Sequence, residues 1–303
     1  MISVLIPVYN YKIQPLIENL IYQFEKLNCT WEILVSDDAS QSKLQTENIK
    51  FINSIQNLNI KLFLQEVNLG NALNRNYLLE KASYNWLLFV DADVFPVHNN
   101  FLSVFIDKLE STDKDIIAGN VIYDTNNPLP HLLRWRYGKK KEEISFTERE
   151  NNPIINLRGA NFAIRKSLML TLKFPVLKEK YGFVDTRFFL QFKENQICVI
   201  DNPVYHLGIE DNTFFLKKTK KAISNALFLL NENDTLANQI SLVSAYKKIR
   251  FLKVILSNIY VRFHKSLEKN IYSDKPSVFL FQLFKILYMS YLDDLKTDTN
   301  FSS

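Results

Sequence analysis

The segment Trp86-Leu87-Leu88-Phe89-Val90-Asp91-Ala92-Asp93 decides how this chain is read. Five apolar residues run without a polar break and stop at two carboxylates. A run this short, rich in aromatic and branched side chains, reads as a buried strand. A strand buried on both faces belongs to a sheet covered by helices on each side. Asp91 and Asp93 stand at i and i+2 just past that strand, so both reach one ligand if the chain turns there. Hard carboxylate oxygens suit Mg²⁺ or Mn²⁺, ions that commonly bridge a carboxylate to diphosphate oxygens. Taken alone, Asp-x-Asp is also ordinary turn sequence.

Working outward, the same alternation recurs. Ile2–Val8 is a β-branched run. Ile13, Leu16, Ile17, Leu20, Ile21, Phe24 and Leu27 then follow at helical spacing. Residues 31–35 form a second strand ending at Asp37-Asp38. Residues 43–56 are helical, Ile60–Leu64 is a strand, and residues 70–82 are helical. A helix around 101–109 precedes the strand Ile116–Ile122. Strands alternating with helices imply an α/β fold with a mixed, mainly parallel sheet flanked by helices. Ligands of such sheets bind outside the carboxyl ends of the strands. Tyr9 with Asn10, Asp37 with Asp38, and Asp91 with Asp93 all sit at those ends.

The bulk composition narrows the classes. The chain has 303 residues, 47% hydrophobic and 23% charged, enough for a sizeable core. A net charge of +5 gives no global case for a nucleic-acid partner. Cys29 and Cys198 are far apart and have no metal-ligand spacing, which fits a reducing, cytoplasmic setting. The first apolar run has no charged leader and reads as a strand, not a signal peptide.

Residues 124–153 interrupt the alternation with Pro128, Pro130, Pro153 and the run Lys139-Lys140-Lys141-Glu142-Glu143. They read as a mobile loop or a solvated surface segment. Beyond residue 211 helical patterns dominate, over 214–230 and 241–263. The expected division is a domain at 1–211 and a helical region at 212–303. Residues 276–292 are strongly apolar but shorter than the ~20 residues a spanning helix needs. They are read as a packed or oligomer-forming helix, a membrane-surface helix, or a spanning one. Basic patches at 217–221 and 247–253 would favour anionic lipid.

The ordered motifs Pro7-Val8-Tyr9-Asn10, Ser36-Asp37-Asp38-Ala39-Ser40, Asn68-Leu69-Gly70 with Asn74-Arg75-Asn76, and Asp91-Ala92-Asp93 resemble those of family 2 glycosyltransferases with a GT-A (Rossmann-like) fold. The match extends over roughly residues 1–210. The resemblance implies a nucleotide-diphosphate sugar donor, with a UDP-sugar as the commonest carrier, and a divalent metal, Mn²⁺ or Mg²⁺. It implies that Pro7 and Tyr9 border the base, Asp38 binds it with Asp37 nearby, and Arg75 lies near the nucleotide. Asp91 and Ala92 would face the donor, and Asp93 would bind the metal.

Two later segments extend the resemblance. Arg158-Gly159-Ala160-Asn161-Phe162 is similar to the acceptor-side segment, with Gly159 and Asn161 at the pocket wall. In Tyr181-Gly182-Phe183-Val184-Asp185, Asp185 matches the catalytic base, while Val184 stands where the family usually has an acid. His206 falls where many relatives complete the metal site. The family implies single displacement with inversion onto a glycan or lipid-linked acceptor, in polysaccharide synthesis. Val184 leaves an alternative, an inactive nucleotide-sugar or glycan-binding module of the same fold. A dehydrogenase would need a Gly-rich turn after the first strand, and Pro7-Val8-Tyr9-Asn10-Tyr11 has none. A nucleotidyltransferase would want a Gly-rich basic loop there. The C-terminal helices would support peripheral attachment at the inner membrane face or a homo-oligomer.

Overall fold

The computed structural model describes residues 1–41 and 43–300. Among them eight strands form one sheet: β1 (Ile2–Val8), β2 (Trp31–Asp37), β3 (Ile60–Leu64), β4 (Trp86–Val90), β5 (Val94–Pro96), β6 (Ile116–Ile122), β7 (Asn161–Arg165) and β8 (Ile197–His206). Their spatial order is β3-β2-β1-β4-β7-β6-β8-β5. The β3-β2, β2-β1, β1-β4 and β6-β8 pairs are parallel; β7 runs against β4 and β6, and β5 against β8. The sheet is mixed and mainly parallel, as the alternation predicts.

The registers set the site. Val8 pairs with Asp37 across β1 and β2, and Leu5 with Phe89 across β1 and β4. The carboxyl ends of β1, β2 and β4 therefore lie along one edge. β8 is parallel to β6, and its end residue His206 pairs with Val94, which closely follows Asp91-Ala92-Asp93. A fourth strand tip is thus brought to that edge.

Helices α1 (Gln14–Phe24), α2 (Lys43–Ile55), α3 (Asn71–Lys81) and α4 (Phe101–Ser111) connect the early strands. Leu16, Ile17, Leu20 and Phe24 of α1 join Phe101, Leu102 and Phe105 of α4 against Ile2, Val4, Ile6 and Val8 of β1. Each such side chain contributes about 1.5–3 kcal/mol relative to exposure. The near-continuous burial of β1, β2 and β4 leaves their tips as the places where polar groups meet solvent.

Residues 124–153 are largely helical, contrary to the loop reading: α5 (Leu133–Lys141), α6 (Phe146–Asn151) and α7 (Pro153–Asn156). The prolines lie before α5 or at the first position of α7, where a missing N–H costs little. Arg149 of α6 is buried and donates to the carbonyls of Gly119 at 2.9 Å and Ile200 at 3.0 Å. α8 (Lys166–Thr171) and α9 (Val184–Phe189) follow, then α10 (Asn212–Asn231), α11 (Ser241–Ile249), α12 (Lys253–Ile271) and α13 (Val278–Asn300). The helix expected over 241–263 is two helices joined by a 3₁₀ turn at Arg250–Leu252. There Arg250 and Tyr246 both turn toward Asp293.

Contacts divide the chain into two units. One holds Met1–Asp124, Glu142–Val176 and Gln191–Gly208; the other holds Thr125–Lys141, Leu177–Leu190 and the chain from Ile209 on. The first contains the whole sheet. In the second, Tyr137 of α5 packs with Phe215 of α10 and Phe281 of α13, and the buried Leu133 donates its N–H to Asn212 of α10 at 2.6 Å. Asp211 caps α10 by accepting from the N–H groups of Thr213 and Phe214. α13, the apolar stretch of the sequence, buries Val278, Phe281, Phe284, Leu287 and Met289. No helix among the described residues is long and apolar enough to cross a membrane.

Candidate active site

The acidic pair after β2 is committed to backbone. Asp37 Oδ1 accepts from the Ser40 N–H at 2.7 Å and from Gln45 Nε2 at 3.0 Å, closing the turn at the strand tip. Asp38 accepts from the N–H groups of Leu69 at 2.5 Å and Gly70 at 2.9 Å, fixing the loop that opens α3. Both carboxylates are buried. Ser40 in turn accepts from the Asn10 N–H at 2.7 Å, tying the β1 tip to the β2 tip. Beside them Pro7 is half-buried, and Tyr9 is 52% exposed.

Arg75 of α3 is not a surface residue. It is 0% exposed and donates to Asp91 Oδ1 at 2.6 Å and to the Gly159 carbonyl at 3.3 Å. Asn71, one turn earlier on the same helix, accepts from its other guanidinium nitrogen. A buried cation demands such partners, since its desolvation costs several kcal/mol. Arg75 therefore locks the first carboxylate of Asp91-Ala92-Asp93 and the backbone at Gly159 to α3.

Asp93 stays available. Its Oδ2 faces His206 Nε2 at 3.7 Å, with about a third of the Asp93 side chain exposed. Its carbonyl accepts from the N–H groups of Leu207 at 2.8 Å and Gly208 at 3.2 Å, which fixes the β8 tip beside it. Gly208 is required there: an added methyl would stand 2.6 Å from Asp93 Cβ and run into its carboxylate. The His206 ring stacks on Tyr123, with centroids 5.6 Å apart and planes at 21°. Glu142 accepts from the Tyr123 hydroxyl. Burial, and secondarily the Asp93 charge, push the Tyr11 hydroxyl above the ordinary tyrosine value. No group of three or more His, Cys, Asp or Glu side chains poised for a metal occurs among the described residues. The protein donors facing each other here are two, Asp93 and His206.

Asn161 serves the sheet more than its surface. Its Nδ2 donates to the carbonyls of Asn120 at 2.9 Å and Asn202 at 2.8 Å, bridging β6 and β8 from the start of β7. Gly119 makes room for that side chain. Gly159 is buried and its carbonyl belongs to Arg75.

Asp185 lies in the second unit, in the first turn of α9 and half-buried. The cap residue of that helix is Phe183, in a left-handed conformation with φ 61°. The turn ahead of it is pinned by Asn225 of α10. Asn225 is 0% exposed, accepts from the Glu179 N–H at 2.7 Å, and donates to the carbonyls of Tyr181 at 3.0 Å and Gly182 at 2.9 Å. Gly182 has φ 95° and touches Ala222, so no other residue fits. The sequence gives no role to Tyr11, Tyr123 or Asn225. Tyr11, just past β1, and Tyr123, directly after β6, carried a signal in their positions.

The comparisons agree with this frame. The model of the family Glycosyl transferase family 2 matches residues 3–172, more than half of the chain. An uncharacterized glycosyltransferase of Haemophilus influenzae is 28% identical over 195 residues, 60% of this chain and 70% of that protein. The glycosyltransferase AglE of Haloferax volcanii is 30% identical over 128 residues, 42% of this chain and only 41% of AglE. Among solved structures, the mannosyltransferase PcManGT of Pyrobaculum calidifontis, in complex with GDP-Man and Mn²⁺, covers 97% of this chain and 86% of its own. Its TM-score is 0.58 at 12% identity. S. aureus TarS 1-349 in complex with UDP-GlcNAc covers 98% and 92%, with TM-score 0.51 at 17% identity. At these identities the structures speak for the fold, which is GT-A. The motif order, the strand tips that carry it and the match over residues 3–172 place the chain in glycosyl transferase family 2.

Proposed function

We propose that the protein transfers a sugar from a nucleotide-diphosphate sugar to an acceptor hydroxyl, with inversion at the anomeric carbon and the help of a divalent cation. One observation carries the reading. At the tips of β4 and β8, Asp93 Oδ2 and His206 Nε2 face each other at 3.7 Å, while Asp91 beside them is locked by Arg75. A carboxylate oxygen and an imidazole nitrogen suit Mn²⁺ or Mg²⁺. Two protein donors leave positions for diphosphate oxygens. A cation held there would stabilise negative charge on the leaving diphosphate. The complexes of PcManGT with GDP-Man and Mn²⁺ and of TarS with UDP-GlcNAc support a donor of this class.

The chain's own groups would divide the work. Tyr9 stacks on the nucleobase beside Pro7. Asp37 and Asp38 hold the turn and the loop that frame it. Arg75 presents Asp91 and the Gly159 backbone, with Ala92 leaving space between the two carboxylates. Gly159 and Asn161 hold the acceptor-side wall of the sheet. Asp185 accepts the proton of the acceptor hydroxyl as its oxygen bonds to the anomeric carbon. The bond from that carbon to the diphosphate breaks, and its electron pair leaves with the diphosphate. The acceptor is a glycan or lipid-linked sugar, in polysaccharide synthesis.

A thermal-shift screen of UDP- and GDP-sugars, with and without Mn²⁺, tests the donor. A cognate donor at a hundred times its dissociation constant adds about 2.7 kcal/mol. Asp185→Asn should bind that donor normally and lose turnover about a hundredfold or more. If no nucleotide sugar stabilises the protein under any metal condition, the proposal fails. Val184, where relatives usually have an acid, favours one rival, an inactive donor-binding module. Donor binding without transfer to any acceptor would select it.

A further inference from the structure

The sequence reads residues 276–292 first as a packed helix, and α13 does bury Val278, Phe281, Phe284, Leu287 and Met289, while Phe279 and Leu283 stay exposed. A larger group of exposed apolar side chains lies on its neighbour. In α12, Ser257, Tyr260, Leu267 and Ile271 form the buried stripe. At helical spacing the opposite side begins with Phe251, Val254, Ile255 and Ile259, which are 81%, 53%, 60% and 37% exposed. Farther along that side stand Arg262, Lys265 and Lys269, all exposed. Lys247 and Lys248, also exposed, close the preceding helix α11.

The charge on this surface is one-sided. Between residues 241 and 271 the chain carries seven cations, Lys247, Lys248, Arg250, Lys253, Arg262, Lys265 and Lys269, against one acid, Glu268. That acid is engaged by Lys220 of α10 at 2.9 Å. Among the described residues, Lys248, Arg262, Lys265 and Lys269 have no carboxylate at ion-pair distance. Four solvated aliphatic and aromatic side chains in one patch are costly unless something covers them.

We propose that α12 and the end of α11 form a docking surface for an anionic lipid bilayer. The apolar end, Phe251 to Ile259, enters the boundary between headgroups and acyl chains, and the lysines and Arg262 stay at the headgroups. An amphipathic helix with a cationic polar part lies in the interface in this way. Each basic residue near an anionic leaflet adds to the attraction. Charge complementarity selects this occupant. A second copy of the same face would set its five exposed cations, Lys247, Lys248, Arg262, Lys265 and Lys269, against the same five across a two-fold axis, Arg250 being already paired with Asp293. A nucleic acid would match the cations and leave Phe251, Val254 and Ile255 with no apolar partner. The inference does not depend on the reaction proposed above.

The test is flotation of the full chain with vesicles of phosphatidylglycerol and phosphatidylcholine, and with phosphatidylcholine alone. Expected is binding to the anionic vesicles, at least tenfold weaker on the neutral ones and weakened again in high salt. Two exposed-site variants separate the components. Phe251→Ser with Ile255→Ser should remove the apolar share, and Lys265→Glu with Lys269→Glu the electrostatic share. Each should lower vesicle binding by about tenfold while the melting temperature and far-ultraviolet circular dichroism hold. Absence of vesicle binding overturns the proposal, as does equal binding by both variants and the parent. So does a parent dimer that Phe251→Ser with Ile255→Ser turns into a monomer, because a second copy would then own the face.

Discussion

At the residue scale, Arg75 and Gly208 show how much of the site is held from behind. Arg75 is closed off from solvent and bonded to Asp91 and to the Gly159 carbonyl. Arg75→Ala would leave the partly buried Asp91 carboxylate without its cation on one side and a cavity on the other. With Asp91 partly solvated, it should cost about 2–4 kcal/mol by chemical denaturation. Arg75→Lys keeps the charge and loses the planar fork, so it should recover only part of that stability. Equal stability of Arg75→Ala and the parent would remove the guanidinium from the architecture of the site. Gly208→Ala acts differently. Its new methyl meets Asp93 at Cβ and carboxylate, so Asp93 must rotate away from His206. Crowding of this kind typically costs about 1–3 kcal/mol. Metal-dependent donor affinity, read by isothermal titration, should fall at least tenfold even where the fold survives. Unchanged affinity would mean that Asp93 does not need its present rotamer.

At the element scale, two polar side chains organise the second unit. Asn225 of α10, buried beside Ile223, Ala226 and Leu227, holds the turn before α9 by its Glu179, Tyr181 and Gly182 backbone. Asn225→Ala strands those groups, and each stranded buried group costs about 1–3 kcal/mol. Turnover should fall while donor affinity holds, because the displaced turn leads into Asp185. Loss of both in step would tie Asn225 to general stability alone. Asp293 of α13 takes both Arg250 nitrogens at 2.7 Å and the Tyr246 hydroxyl at 3.0 Å. Burial works to raise the Asp293 carboxyl, but the bonds from Arg250 and Tyr246 lower it on balance. A carboxyl lowered on folding stabilises above its unfolded value near ~3.9 and loses that contribution as pH falls through the folded value. Asp293→Asn should therefore cost about 1–3 kcal/mol at neutral pH, Arg250 being partly solvated. The gap to the parent should close below about pH 4 in urea melts. A gap that persists at low pH would assign the loss to packing.

These elements also mark where the sequence was legible. β1, β2 and β4 announce themselves through short, mainly apolar runs that end on Tyr9, Asp37 and Asp91. Strand length and an abrupt polar stop are local properties. Arg75 was not legible in its true place, because an arginine on a polar helix looks the same whether it faces solvent or a buried carboxylate. Asn225 left no trace, since its partners Glu179, Tyr181 and Gly182 come from a loop some forty residues earlier. The prolines and lysines of 124–153 outvoted Leu133 and Arg149, whose burial depends on strands and helices distant in the chain. The apolar stretch of α13 was visible, and the face that stays in solvent, on α12, was not. Burial is decided by which helices become neighbours.

At the scale of the whole molecule, the metal reading makes a prediction about coupling. If Asp93 and His206 hold one cation between them, their contributions to donor-linked stability cannot add. A donor at a hundred times its dissociation constant should raise the melting temperature by on the order of 5 °C, given about 2.7 kcal/mol and the steepness usual for a chain of this length. Removing Asp93 by Asp93→Ala should abolish most of the Mn²⁺-dependent part of that rise. His206→Ala should remove a similar part, and the double variant little more than either alone, giving a coupling of about 1–3 kcal/mol. A surface ion pair without a metal would behave otherwise. Two partly exposed groups at 3.7 Å are worth at most about 1 kcal/mol to each other, and that value would not respond to Mn²⁺. The decisive reading is the double-mutant cycle run with Mn²⁺ and again with chelator. Coupling that is large with the ion and vanishes without it belongs to a shared cation. Coupling that is small and equal in both conditions leaves Asp93 and His206 as neighbours only, and the donor's diphosphate would then need another source of positive charge.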